Sequence, residues 1–122
     1  MECIVLAGGM GTRLRSVVAE LPKCLAPVAG RPFLSFLADA LLEAGFDHII
    51  LSLGHRHEDV EAWLAGRADR HLFSTVVEDC PLGTGGGVRL ALPQAREDDV
   101  FVINGDTWFG VDYRAMLAFH AS

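Results

Sequence analysis

The sequence has a single lysine, Lys23, against nine arginines. It has no run of basic residues, and its net charge is −6. An acidic chain without a basic tract lacks the electrostatic footprint of a nucleic-acid binder or of a protein held on an anionic membrane. The three cysteines, Cys3, Cys24 and Cys80, form no CxxC pair, and their odd number argues against a disulfide framework and for a reducing compartment. No basic segment precedes the first apolar run, and that run is far too short to cross a bilayer. We therefore read neither a signal peptide nor a membrane segment, and expect a cytoplasmic location. Internal repeats, low-complexity segments and linkers are also missing. What is present is a chain of 122 residues, 51% apolar and 21% charged, ordinary for one compact domain with a real core.

Its patterning alternates strand and helix signals. "CIVLA" (3–7) is a short apolar run that stops at glycine, as a buried parallel strand does. A helix is expected over 33–44, with Pro32 at its start and Gly45 at its end, followed by a strand over 48–53 and a helix over 57–65. A third strand is expected over 72–78, a glycine-entered helix over 85–93 stopped by Pro93, a fourth strand over 99–105, and a last helix over 113–120 capped by Asp112. This is the α/β pattern of a doubly wound, mostly parallel, Rossmann-like sheet, with residues 1–122 as the front of a larger unit. A 3-2-1-4 strand order would put the switch point, where such sheets bind ligands, between the first and fourth strands.

The stretch "IVLAGGMGTRLR" (4–15) carries the chemistry. Gly8, Gly9 and Gly11 allow a sharp turn and a close approach of backbone to ligand, and Arg13 beside exposed N–H groups makes a phosphate site. The spacing is not that of a Walker A loop. It is a poor dinucleotide fingerprint, because Leu14 stands where a third small residue should be, and the second strand ends in "LSLGH" without a ribose-binding acid. Three further stretches accompany it. "LPKCLAPVAGRPFL" (21–34) holds the sole lysine in a segment that Pro22 and Pro27 should keep extended. "EDCPLGTGGG" (78–87) is a second glycine-rich turn. "INGD" (103–106) ends the fourth strand with a carboxylate, Asp106, suited to a Mg²⁺ ion bound to phosphates.

In this order and over nearly the whole chain, "LAGGMGTRL", "LPKCLAPVAGRP", "PLGTGG" and "NGD" resemble the sugar-1-phosphate nucleotidyltransferases. Within that family, "PVAGRPFL", "LGTGGGVRLAL" and "FVINGDT" are most similar to the branch that joins GTP to a heptose 1-phosphate. The resemblance implies attack by a sugar-1-phosphate oxygen on the α-phosphorus of a nucleoside triphosphate, releasing pyrophosphate. The nucleophile is already anionic at neutral pH, so charge neutralisation and in-line positioning carry the catalysis.

The same resemblance implies a nucleotide site of Leu6, Ala7, Gly8, Gly9, Gly11, Thr12, Arg13, Lys23, Glu78, Asp79, Gly83, Thr84 and Asn104. Arg13 and Lys23 would be catalytic, Asp106 would ligate Mg²⁺, and Arg15 would lie at the site's edge. The family's second metal aspartate has no counterpart here, since Asp112 is too close and is better read as a helix cap. Glu78 or Asp79 would accept the N1–H and N2–H₂ donors of guanine. The ordinary alternative is that these two acids solvate a loop. The histidines show no ligand spacing except His55-x-His57, which is more often solvated surface, and Trp63 is read as core. Two rival readings stay open: another base or sugar on the same fold, and a non-catalytic nucleotide-binding domain.

Overall fold

The computed structural model describes residues 1–7, 23–54, 56–78, 83–105 and 112–121. In chain order these form β1 (Glu2–Leu6), a hairpin of β2 (Pro27–Val28) and β3 (Arg31–Pro32), α1 (Phe33–Glu43), β4 (His48–Leu53), α2 (His57–Ala65), β5 (Phe73–Val77), α3 (Gly83–Ala91), β6 (Val100–Asn104) and α4 (Tyr113–Ala121). The main sheet runs β5-β4-β1-β6 with every pair parallel. Numbered among the four strands expected from sequence, that order is 3-2-1-4. Parallel neighbours need a crossover, and the helices supply it on both faces.

Alternation of side chains sends odd-numbered residues of β1 to one face and even-numbered ones to the other. Cys3, Val5, Ile49, Leu51 and Leu53 join Leu34, Leu37 and Leu41 of α1, Val60 of α2 and Tyr113 of α4 in the larger core. Ile4 and Ile50 pack with Ala91 of α3 in a smaller one, flanked by Leu6, Val88 and Val100. A triangle of edge-to-face rings ties α4 to the sheet: Phe46–Phe101 at 5.3 Å, Phe46–Tyr113 at 5.1 Å and Phe101–Tyr113 at 5.5 Å.

Local signals explain the element ends. Past α1, Gly45 has φ +109°, and the Gly45 and Phe46 amides donate to the Leu42 and Leu41 carbonyls, each at 3.1 Å. This is the paired hydrogen bonding that a left-handed residue makes possible. Asp112 caps α4 as expected, its Oδ1 accepting from the Ala115 amide at 3.0 Å. In the β2–β3 turn, Ala29 and Gly30 both have positive φ, 52° and 81°, as a two-residue hairpin of this hand requires.

Two expectations need correction. The segment around Lys23 is not extended: residues Lys23–Leu25 form a 3-10 turn. The tight turn buries the consecutive side chains of Cys24 and Leu25, which an extended chain would point to opposite sides. The glycine-rich stretch after β5 is less of a loop than expected, because α3 starts at Gly83 rather than residue 85 and takes Gly83 and Thr84 into its first turn. The α-helix also stops at Ala91, and Pro93 sits in a separate 3-10 turn, Leu92–Gln94.

Candidate active site

The carboxyl ends of the strands converge on one side of the sheet. Leu6 at the end of β1 is in register with Ser52 of β4 and with Asn104 of β6. Beyond the strands the ladder continues: the Ala7 amide donates to the Ser52 carbonyl at 2.9 Å, the Glu78 amide to the Leu53 carbonyl at 2.9 Å, and the Gly105 amide to the Leu6 carbonyl at 2.9 Å. Of the residues singled out from sequence, Leu6 and Glu78 are half-buried here, Ala7 is buried and Asn104 is exposed. The backbone of Gly83 and Thr84 forms the start of α3, so its unsatisfied N–H groups and positive dipole end mark the amino end of this helix.

Two glycines set the closeness of these parts. A Cβ on Gly105 would lie 3.0 Å from the Leu6 carbonyl oxygen, 3.2 Å from Val5 Cγ1 and 3.3 Å from Ala7 Cβ. The glycine of "NGD" is therefore required by the contact between β6 and β1. A Cβ on Gly87 would lie 3.2 Å from Ser52 Oγ and 3.3 Å from Leu6 Cδ2. There the buried Ser52 hydroxyl donates to the Gly87 carbonyl at 3.0 Å, pinning α3 to the end of β4. The roles of Ser52, Gly87 and Gly105 are missed by motif reading, although Ser52 stands out as the one hydroxyl in the apolar strand "HIILSL".

Residues Gly8, Gly9, Gly11, Thr12, Arg13, Arg15, Asp79 and Asp106 lie outside the described residues, as do Pro22, His55 and Cys80. What the structure gives for them is their point of departure. The chain passes from Ala7 into Gly8, and from Gly105 into Asp106, at two neighbouring strand ends joined by a hydrogen bond. Among the described residues no group of three or more His, Cys, Asp or Glu could hold a metal ion.

At the opposite end of the sheet lies a polar network with no counterpart in the sequence reading. Glu2 and His48, both buried, are partners across β1 and β4, with Glu2 Oε2 2.5 Å from His48 Nδ1. His48 Nε2 is 2.7 Å from Ser74 Oγ on β5. Glu2 Oε1 accepts the backbone amides of Arg96 at 2.7 Å and Glu97 at 2.6 Å. Burial alone would raise the Glu2 carboxyl, but the hydrogen bonds from His48, Glu97 and Arg96 outweigh it and hold the group below its ordinary range. Cys3, on the other face, has its thiol pushed far up by burial, in keeping with a structural rather than a reactive cysteine.

Residues 3–121 match the MobA-like NTP transferase domain. The chain belongs to that family. Over its whole length it is 45% identical to D-glycero-alpha-D-manno-heptose 1-phosphate guanylyltransferase from Aneurinibacillus thermoaerophilus, and covers 53% of that protein. It is 39% identical to mannose-1-phosphate guanylyltransferase from Mycobacterium tuberculosis, covering all of this chain and 34% of the relative. Among solved structures, HddC from Yersinia pseudotuberculosis complexed with GMP-PN superposes with a TM-score of 0.87 and 34% identity, over 97% of this chain and 53% of the other. The chain thus spans about half the length, or less, of the relatives it matches. Its architecture as an NTP transferase domain is that of the nucleotide-diphospho-sugar transferase fold, as the sequence led us to expect.

Proposed function

We propose that this chain is the nucleotide-binding part of a sugar-1-phosphate nucleotidyltransferase, a guanylyltransferase that joins GTP to a heptose 1-phosphate and releases pyrophosphate. The observation that carries the proposal is the hydrogen-bonded contact between the ends of β1 and β6. It brings the chain into the glycine–arginine motif and into Asp106 from adjacent strands, at the end of a parallel sheet where such folds bind ligands. Guanylyltransferase relatives that match the whole chain support the choice of base, and the heptose-acting one supports the choice of sugar.

In this reading Gly8, Gly9 and Gly11 give backbone donors to the nucleotide. Thr12 and Arg13 hold its phosphates, the guanidinium fork suiting two oxygens at once. Lys23 neutralises phosphate charge as the two anionic substrates meet. Leu6, Ala7, Asn104 and the start of α3 at Gly83 and Thr84 form the walls nearest the base and ribose. Glu78 or Asp79 accepts the guanine N1–H and N2–H₂ donors, and a base lacking those donors leaves the carboxylate unpaired and is rejected. Asp106 would hold a Mg²⁺ ion, which would supply charge stabilisation for the phosphoryl group being transferred. A second carboxylate for the ion, and a pocket for the sugar, belong to the part of the domain that the relatives have beyond this chain's span.

The test is competition by GTP, UTP and CTP for a fluorescent GTP analogue, with and without Mg²⁺. GTP should displace the analogue best, and Asp106→Asn should remove the Mg²⁺ dependence without loss of fold. Glu78→Gln or Asp79→Asn should narrow the gap between GTP and UTP. A preference for UTP or CTP in the unmutated chain would refute the guanylyl assignment. A GTP preference that neither variant loosens would leave the activity standing and remove the role given to the two acids. Residues 1–122 alone should bind nucleotide and produce no nucleotide-sugar.

A further inference from the structure

By composition the start of α3 is a poor helix. Four of its first five residues are glycine, the residue that loses most backbone freedom on becoming helical. Its other half differs: Ala91 is buried with Ile4 and Ile50, and Val88 packs beside them. That apolar anchor holds the carboxyl half of the helix. The glycine-rich half has no side chains with which to pack, and needs a tie of another kind. Ser52, buried in β4, is placed to supply it. Its hydroxyl donates to the carbonyl of Gly87, the last of those glycines, at 3.0 Å. Its own carbonyl accepts the Ala7 amide at 2.9 Å, one residue before the chain enters Gly8. One residue is thus bonded both to α3 and to the end of β1.

On the reading that the start of α3 and the Gly8–Arg13 loop bind nucleotide, we propose that Ser52 is a positioning residue for that nucleotide. Through its hydroxyl it keeps the glycine-rich half of α3 helical, so that Gly83 and Thr84 stand where base and ribose bind. Through its carbonyl it fixes the point from which the phosphate loop departs. Ser52 itself touches no ligand. Its two bonds act on different parts of the nucleotide, so their effects can be separated. Alanine at this position removes the hydroxyl and keeps the carbonyl. Base and ribose should then be held less well, and the phosphates as before. A hydroxyl that served only to stabilise the fold would lower stability and leave this balance unchanged.

The test measures the binding of GTP and of inorganic triphosphate to the 122-residue chain and to its Ser52→Ala variant. Loss of one hydrogen bond should lower GTP affinity roughly fivefold and leave triphosphate affinity unchanged. Without ligand, hydrogen–deuterium exchange should quicken at the Gly87 and Val88 amides, whose helical acceptors lie in the first turn of α3, and not in β1 or β4. Gly85→Ala, added to Ser52→Ala, should recover part of the GTP affinity, because an open helical position gains helix preference without restoring the hydroxyl. Equal losses for the two ligands would overturn the proposal, as would unchanged GTP affinity or unchanged exchange in Ser52→Ala. So would a GTP loss that Gly85→Ala does not relieve, which points to a lost contact instead of lost helical order. An unmutated chain that binds GTP no better than triphosphate would refute the base site itself, and the role of Ser52 with it.

Discussion

Alanine substitution at three glycines separates close approach from chain flexibility. Around Gly85, on α3, no atom from outside its own stretch of helix lies within 4 Å of where a Cβ would stand, so Gly85→Ala gains the usual helix preference of about 0.5–1 kcal/mol. At Gly87 the added methyl meets Ser52 Oγ at 3.2 Å and the end of the Leu6 side chain at 3.3 Å. The leucine can move, and the gain and the cost should nearly cancel. At Gly105 the nearest atom, at 3.0 Å, is the Leu6 carbonyl oxygen, which is backbone and already accepts the Gly105 amide. Val5 and Ala7 close the other sides, so the end of β6 must move away from β1 by a few tenths of an ångström. Such overpacking costs about 1–3 kcal/mol. Gly105→Ala and Gly85→Ala should therefore differ by roughly 1.5–4 kcal/mol, on the order of 1 M in urea midpoint. Nucleotide affinity should fall for Gly105→Ala and hold for Gly85→Ala, since only the former shifts the point from which Asp106 departs. Equal urea midpoints for the two variants would refute the steric account of the "NGD" glycine.

Two further predictions concern regions remote from the site. Glu2→Ala leaves two backbone amides and His48 without their acceptor, and should cost about 3–5 kcal/mol, the range for breaking a buried pair from one side. Glu2→Gln keeps an oxygen for those amides and should cost clearly less by urea denaturation; equal losses would show that the hydrogen bonds are not what Glu2 contributes. Arg67 donates to Asp39 at 2.7 Å and to Asp69 at 2.9 Å, and these bonds lower both aspartates while raising Arg67. Because the folded-state values lie below the unfolded ones, the stability these groups add is full above about pH 4 and is lost as the pH falls further. Arg67→Met keeps an apolar stem beside Trp63 and Phe73, over whose rings the Arg67 guanidinium now lies at 5.2 and 5.7 Å, and should flatten the fall in urea midpoint below about pH 4. An unchanged slope would remove Arg67 as its source.

The sequence by itself determined the order and kind of the elements. Apolar runs of strand length at 3–7, 48–53, 72–78 and 99–105, each separated by a helical pattern, allow little but a parallel α/β sheet, because parallel strands must be joined by crossovers. It also determined the cap at Asp112 and the helix end at Gly45, which depend on a few neighbouring residues. The motif set pointed to the family for the same reason, since its spacings are local. Tertiary structure alone decided which glycines are there for space: Gly105 faces β1 and Gly87 faces Ser52 and Leu6, contacts set by strand register and helix depth. It decided that His48, one of five histidines without a motif, is buried between Glu2 and Ser74, residues 46 and 26 positions away. It also decided that β6, apolar enough for the middle of a sheet, stands at an edge. Periodicity encodes which side of an element is apolar, but the partner on that side is chosen by pairing between distant segments, and only the folded chain brings those segments together.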